Sequence, residues 1–156
     1  MRFLIDTNVL LAATMSDLPG HADADRLVRQ LLSGDEPWCL SWVNVYEFLR
    51  VATHPRVFPH PLGLDDALSQ MELLLSHPGC QILGETDRHT VHLAAAVASA
   101  GGASGNFVRD CHIAALAREH DVGIIVTADT HFRRFGRWLE VLEPGEALQR
   151  LNRSRG

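Results

Sequence analysis

Four acidic side chains lie at the edges of apolar segments that are expected to form the core. They are Asp6, Glu47, Asp110 and Asp129. A carboxylate in such surroundings is costly to bury unless it is paired or binds a cation. Oxygen ligands that gather from distant parts of a chain suit Mg²⁺ or Mn²⁺. The four residues therefore predict one shared cation site.

Each acid also has an ordinary structural explanation. Asp6 could cap the helix that follows it, and Asp129 could be a turn residue after a strand. The helix dipole favours an acid such as Asp110 in a first helical turn. Glu47 has Arg50 three residues later as a candidate ion-pair partner. All four acids together, in this order and context, favour the shared site over four separate explanations.

The segments that must position these acids alternate between strands and helices. Apolar strands are predicted at residues 2–5, 38–40, 81–83, 123–127 and 139–142. Helices are predicted at residues 9–15, 21–33, 42–52, 64–76, 86–100, 107–120 and from 144, with Ser41 and Asn106 as caps. This alternation, with continuously apolar strands, predicts a parallel sheet covered by helices on both faces. In such sheets the working site lies at the carboxyl ends of the strands, where Asp6 and Asp129 fall.

Composition limits the classes of function. A chain of 156 residues with 46% apolar residues is expected to form one domain with a substantial core. The net charge of −5 argues against a protein that simply coats nucleic acid, although a bound cation would offset part of it. All 14 basic residues are Arg, so mechanisms that need a lysine, such as Schiff-base or P-loop chemistry, are excluded.

The cysteines and the N-terminus predict a cytoplasmic protein with no membrane contact. Cys39, Cys80 and Cys111 are odd in number and far apart, so they indicate neither a disulfide framework nor a metal knuckle. Buried thiols in a reducing compartment are the better interpretation. The first residues lack the layout of a signal peptide, and no apolar run is long enough to span a bilayer.

Histidine and arginine give weaker signals. His89 and His92 share a helix face at i, i+3, which is a weak zinc pattern. His112 is predicted to face away from the acidic site, and His131 could approach a substrate phosphate. Three arginines that follow the last acid form either a solvated face or a phosphate-holding patch: Arg133, Arg134 and Arg137.

Four blocks of sequence carry one acid each. They are FLIDTNVL at 3–10, VNVYEFLR at 43–50, GNFVRDCHIAALA at 105–117 and GIIVTADTHF at 123–132. In this order they resemble the PIN-domain ribonucleases, specifically VapC-type toxins of toxin–antitoxin pairs, nearly end to end. The Pro-containing segment THPRVF at 53–58 is similar to a loop of one subgroup. Cys111 stands where the family commonly has Ala, and both side chains are small and apolar.

This resemblance implies a fold, an activity and partners. The fold would be an α/β three-layer sandwich with a central, mainly parallel sheet flanked by helices. One nuclease domain would span residues 1–150, followed by a polar tail at 151–156. The activity would be metal-dependent hydrolysis of RNA phosphodiester bonds by the toxin of a toxin–antitoxin pair. A cognate VapB-like antitoxin would be the partner, and the toxin would form a homodimer.

The resemblance also implies roles for single residues. One or two Mg²⁺ or Mn²⁺ ions would bind the four acids: Asp6, Glu47, Asp110 and Asp129. Asn8 and Thr127 would fix the geometry of these ligands. The cation would offset the repulsion among the carboxylates and activate a water for attack on the phosphate, without a protein nucleophile.

Two alternatives remain. A catalytically silent PIN-like binding or scaffold subunit would be indicated by the loss of an acid, whereas all four are present. A haloacid-dehalogenase-like phosphatase needs a second acid two residues after the first and a lysine. Asn8 occupies that position here, and the chain has no lysine.

Overall fold

A five-stranded parallel sheet forms the centre of the protein in the computed structural model, which describes residues 1–102 and 104–156. The strands are β1 (Phe3–Ile5), β2 (Trp38–Ser41), β3 (Cys80–Leu83), β4 (Ile124–Val126) and β5 (Glu140–Leu142). Their order in the sheet is β3-β2-β1-β4-β5, and every neighbouring pair is parallel. The first strand therefore lies in the middle of the sheet.

Seven α-helices and one 3-10 helix are found in the described part of the chain. The α-helices are α1 (Thr7–Thr14), α2 (His21–Ser33), α3 (Trp42–Ala52), α4 (Leu64–Leu75), α5 (His89–Ser99), α6 (Phe107–Glu119) and α7 (Pro144–Ser154). The 3-10 helix spans Thr130–Phe135. No helix among the described residues is long and apolar enough to cross a membrane.

Two separate apolar clusters cover the two faces of the sheet. Successive strand residues point to opposite faces, so Phe3 and Ile5 enter one cluster while Leu4 enters the other. The first cluster contains residues of α1, α2, α3, α4 and α7, and the second contains residues of α5, α6 and the 3-10 helix. All residues of β1 are buried because both faces are covered. The predicted three-layer α/β sandwich with a parallel sheet is confirmed.

The parallel register brings three strand ends to one edge of the sheet. Ile5 pairs with Val126, and the amide of Asp6 donates to the carbonyl of Val126 at 3.0 Å. The amide of Thr127 in turn donates to the carbonyl of Leu142 at 2.9 Å. The residues that follow β1 and β4 are therefore neighbours in space although about 120 positions separate them in the sequence.

Several boundaries differ from the prediction for identifiable reasons. Helix α5 begins at His89 rather than residue 86, because the amide and hydroxyl of Thr86 both donate to Glu119. Asn106 precedes α6 but makes no side-chain capping bond, so its predicted capping role is wrong, whereas Ser41 accepts from the amide of Asn44 as predicted.

The end of the chain is more ordered than expected. Helix α7 continues to Ser154, and Leu151 is fully buried against the first apolar cluster. The segment described as a polar tail at 151–156 therefore begins inside a helix. The 3-10 helix was not predicted at all, since Thr130–Phe135 lacks a clear helical period in the sequence.

Candidate active site

Asp6 lies at the end of the central strand and is 2% exposed. It caps α1, and its Oδ1 accepts from the amide of Thr7 at 2.8 Å and from Nδ2 of Asn44 at 3.2 Å. Its Oδ2 accepts from Oγ1 of Thr127 at 2.8 Å and from Nδ2 of Asn8 at 3.3 Å. The capping role and the cluster around it coexist, and the donors hold the carboxylate in one orientation.

Asn8 and Thr127 tie the ends of β1 and β4 together. Nδ2 of Asn8 donates to Oγ1 of Thr127 at 2.9 Å, and Oδ1 of Asn8 accepts from the amide of Ala128 at 3.1 Å. The hydroxyl of Thr127 also accepts from the amide of Asp129 at 2.9 Å. These bonds connect Asp6 to the backbone of Asp129. A substitution of Asn8 or Thr127 would therefore alter the positions of both acids.

Asp110 lies in the first turn of α6, as predicted, and is 8% exposed. Burial raises its pKa to about 6, and the nearby charges of Asp129 and Asp6 add to the rise while Arg109 opposes it. The pKa of the Asp6 carboxyl is also raised, chiefly by burial, and Arg109 and Thr127 oppose the rise. Both carboxyls are therefore costly to ionise, chiefly because they are buried, and a bound cation would offset that cost.

Arg109 supplies a positive charge among the acids. Its Nη2 contacts Oε2 of Glu47 and lies 3.5 Å from Oδ1 of Asp6, while its Nη1 lies 3.2 Å from Oδ1 of Asp110. Arg50, the partner proposed for Glu47 from the sequence, is farther from it at 3.7 Å. One guanidinium therefore contacts three of the four predicted acids, and the sequence patterns did not single it out.

Asp129 caps the 3-10 helix at the rim of the site. Its Oδ1 accepts from the amide of His131 at 2.9 Å and lies 3.2 Å from Nδ1 of the same residue. Arg134 reaches the same rim, stacks 4.2 Å from the ring centre of Phe107 and donates to the carbonyl of Ala100. The guanidinium of Arg134 thus adds a positive charge to the cavity that Asp110 and Asp129 line.

An open cavity of about 580 Å³ joins these groups. Its walls include three of the predicted acids, three arginines and one histidine: Glu47, Asp110, Asp129, Arg50, Arg109, Arg134 and His131. Asp6 itself does not line this cavity. Arg133 and Arg137 instead line a separate depression beside Glu140, so only Arg134 of the predicted arginine patch faces the cavity.

The acids are gathered but do not form a tight ligand cluster. Within residues 1–102 and 104–156, a tight group is found instead at Glu85, His89 and His112, whose ligand atoms all lie within 4.8 Å of one another. None of these three residues lines this cavity. The carboxylate oxygens of Glu47, Asp110 and Asp129 in the cavity wall nevertheless suit a hard divalent ion. Binding would require Arg109 to release some of its contacts.

Two supporting residues were missed by the sequence analysis. Asn44 is fully buried in α3, and its Oδ1 accepts from the hydroxyl of Ser41 at 2.6 Å, which leaves Nδ2 for Asp6. An Asn between Val43 and Val45 was the available signal, because a buried amide needs partners. Arg109 offered no such signal, since a single Arg at the start of a helix usually faces solvent.

Comparison with protein families and curated proteins places the chain among known sequences. The family model described as PIN domain matches residues 3–137. Ribonuclease VapC37 of Mycobacterium tuberculosis is 36% identical over 132 residues, which cover 85% of this chain and 90% of that protein. Ribonuclease VapC43 of the same organism is 37% identical over 133 residues, with coverage of 85% and 89%.

Solved structures with the same fold include one from a complex. One is the crystal structure of VapBC2 from Rickettsia felis, bound to a DNA fragment from the VapBC2 promoter. It matches this chain with a TM-score of 0.64. It is 17% identical and covers 92% of this chain and 98% of that chain. At that identity the likeness concerns the fold.

Proposed function

The chain belongs to the PIN-domain family, and we propose that it is a ribonuclease that hydrolyses RNA phosphodiester bonds as the toxin of a toxin–antitoxin pair. Relatives of 36% and 37% identity over most of their length are ribonucleases by name, which supports the activity. The observation that carries the proposal is the convergence of Asp6 and Asp110, two buried carboxylates with raised pKa values, on one guanidinium at an open cavity.

Four acids are proposed as the ligands of one or two divalent ions, Mg²⁺ or Mn²⁺: Asp6, Glu47, Asp110 and Asp129. The support is chemical, because three of the acids lie in the cavity wall and their carboxylate oxygens suit a hard cation. Such an ion supplies an activated water and neutralises charge on the phosphate when it is bound. The nuclease domain predicted at residues 1–150 is proposed to extend to Ser154, because α7 ends there and its Leu151 is fully buried.

The chain's own residues prepare the site for this chemistry. Asn44, Thr127 and Asn8 donate to Asp6 and fix the direction of its lone pairs. Asp129 is anchored by the hydroxyl of Thr127 at its amide, so its carboxylate can orient a water at the rim. Each of these groups is placed before substrate arrives, which reduces the reorganisation that cleavage requires.

The rim provides positive charge for a polyanionic substrate. Arg134 and Arg50 both line the cavity, and His131 lies beside Asp129. Guanidinium groups bind phosphate oxygens through paired donors, so these side chains are proposed to hold the RNA backbone next to the acids that line the cavity. Local arginines can do this although the whole chain carries a charge of −5.

A VapB-like antitoxin and a second copy of the chain are the proposed partners. Structural neighbours include VapBC2 from Rickettsia felis and VapBC-1 from nontypeable Haemophilus influenzae, and this supports a toxin with a cognate antitoxin. The contact of Arg109 with three acids supports an attraction of these carboxylates for guanidinium groups. A basic side chain of a partner that displaced Arg109 would meet the same three carboxylates.

The activity is tested with purified, metal-stripped protein and total RNA. We expect cleavage with added Mg²⁺ or Mn²⁺, none with EDTA, and a loss of at least about a hundredfold in Asp6→Asn. Asp17→Asn is the matched control, because Asp17 is exposed and does not line the cavity. Circular dichroism checks that both variants are folded.

The result also decides between an enzyme and a silent subunit. Ion-dependent cleavage by the parent chain and by Asp17→Asn, but not by Asp6→Asn, would support the nuclease. Equal cleavage by Asp6→Asn would refute the site, and the absence of cleavage by a folded parent chain on all RNAs would favour the binding or scaffold alternative.

A further inference from the structure

A second group of ligand-type side chains lies outside the acidic cavity. Glu85 follows β3, His89 begins α5, and His112 lies in α6; each offers a ligand atom, and these atoms all lie within 4.8 Å of one another. His112 and Asp110 are two residues apart on a helix, which separates their directions by about 200°. The group therefore faces away from the cavity, and none of its three members lines it.

A buried carboxylate fixes the orientation of His89. Nδ1 of His89 lies 2.5 Å from Oε2 of Glu119, whose side chain is 0% exposed. Oε1 of Glu119 accepts from the amide and the hydroxyl of Thr86, at 2.9 and 2.7 Å. A carboxylate that accepts from Nδ1 holds the ring in the tautomer whose Nε2 has a free lone pair. This arrangement commonly supports histidines that bind metals.

His112 and Glu85 complete the group. Nε2 of His112 lies 2.6 Å from Oε1 of Glu85, and the His89 and His112 rings meet edge to face with centres 5.3 Å apart. The three side chains are 21%, 34% and 51% exposed for His89, His112 and Glu85, so an ion can reach them from solvent. The contacts could be two separate His–Glu pairs, His89 with Glu119 and His112 with Glu85. Separate pairs do not require the ligand atoms of His89, His112 and Glu85 to lie within 4.8 Å of one another, as they do.

The donor types select the ion. Two imidazoles and one carboxylate are the set found at three-ligand zinc sites, in which a fourth position is open to water or another ligand. Magnesium and calcium prefer sites made of oxygen only. The acidic cavity, whose candidate ligands are carboxylates, should therefore prefer Mn²⁺, and this mixed nitrogen and oxygen group should prefer Zn²⁺.

We propose that Glu85, His89 and His112 bind a zinc-type divalent ion, with Glu119 as the positioning residue for His89. The ion would tie the segment after β3 to α5 and α6, which already form an extensive helix pair on the second face of the sheet. This differs from the i, i+3 pair of His89 and His92 suggested by the sequence. The structure pairs His89 with a residue of another helix instead.

The test uses the full chain, stripped with EDTA and dialysed, and titrated with ZnCl₂ by calorimetry. We expect one equivalent to bind, with a loss of affinity of at least about tenfold in His112→Ala and in Glu85→Gln, and about tenfold in Glu119→Gln. His92→Gln is the matched control on the same helix and should bind as the parent does. Co²⁺ in place of Zn²⁺ should give visible absorption that disappears in Glu85→Gln.

Further variants separate this site from the nuclease site. Asp6→Asn should keep the zinc equivalent and lose manganese binding, whereas Glu85→Gln should do the reverse and keep RNA cleavage. The proposal is overturned if the parent chain binds no zinc, if folded Glu85→Gln binds zinc as the parent does, or if Asp6→Asn removes the zinc equivalent. Glu85 is exposed in a loop, so its variant should fold even if His112→Ala does not.

Discussion

Burial and the neighbouring carboxylates disfavour the ionised form of Asp110. Its pKa of about 6, against an ordinary 3.8, means that the folded chain binds this proton more tightly than the unfolded chain does. Stability from this group is therefore present at low pH and is lost as pH rises from about 4 to about 6. In metal-free protein at neutral pH the ionised carboxylate is a cost, which a bound divalent ion would reverse.

We expect Asp110→Asn to be more stable than the parent chain without metal. The neutral amide avoids the ionisation cost, and a difference of about two pKa units corresponds to on the order of 2–3 kcal/mol at pH 7.5. Urea unfolding in EDTA measures the free energy, and the difference should shrink at pH 5. If Asp110→Asn is less stable than the parent chain at pH 7.5, ionisation of the buried Asp110 carboxyl does not destabilise the metal-free protein.

Arg109 competes with any cation for the same carboxylates. Its guanidinium contacts Glu47, Asp6 and Asp110, and its Nε is buried without a hydrogen-bond partner in the described part of the chain. Removing the positive charge should therefore increase the attraction of the site for a metal ion while it lowers the stability of the metal-free protein.

We expect Arg109→Met to bind Mn²⁺ about tenfold more tightly than the parent chain, which is about 1.4 kcal/mol. Calorimetry at constant ionic strength measures the Kd. Arg118→Met is the control, because Arg118 lies on the same helix but stacks 5.5 Å from the ring centre of Trp138. Weaker Mn²⁺ binding in Arg109→Met would mean that the guanidinium supports the ion instead of competing with it.

At the scale of elements, the regular segments were predictable because their signals are local. The apolar run around Ile125, the helical period of residues 21–33 and the capping hydroxyl of Ser41 each depend on neighbours in the sequence. The start of α5 and the role of Arg109 were not predictable, since both depend on groups brought close only by folding: Glu119 for the former and the three acids for the latter.

Helix α7 illustrates a boundary set by packing. Its last turns contain mostly polar residues, so composition alone suggested a tail, yet Leu151 is fully buried and α7 packs against α2. A single apolar side chain in a polar stretch is a weak sequence signal. Tertiary contact then decides where the helix ends.

We expect Leu151→Ala to destabilise the protein by about 2–5 kcal/mol, because a buried Leu leaves a cavity when it is truncated. The exposed Arg153→Ala on the same helix should change stability by less than about 0.5 kcal/mol. Urea unfolding of both variants checks this. Near-equal stabilities would indicate that the end of α7 does not contribute to the fold.

At the scale of the whole molecule, the parallel sheet explains why the acids meet. The carboxyl ends of β1 and β4 are adjacent, and α3 and α6 bring Glu47 and Asp110 to the same edge. This convergence followed from the order of strands and helices in the sequence. What the sequence did not reveal is the spacing within the site, where a guanidinium stands among the carboxylates.

The proposal that these acids hold a divalent ion is tested most directly by the anomalous scattering of manganese in crystals of the chain soaked in MnCl₂. We predict a peak within ligand distance of the Asp6 and Asp110 carboxylates, about 2.0–2.3 Å, with the Arg109 side chain moved away from Glu47. No peak at the acidic cavity in crystals that take up manganese elsewhere, for example at Glu85, would contradict it.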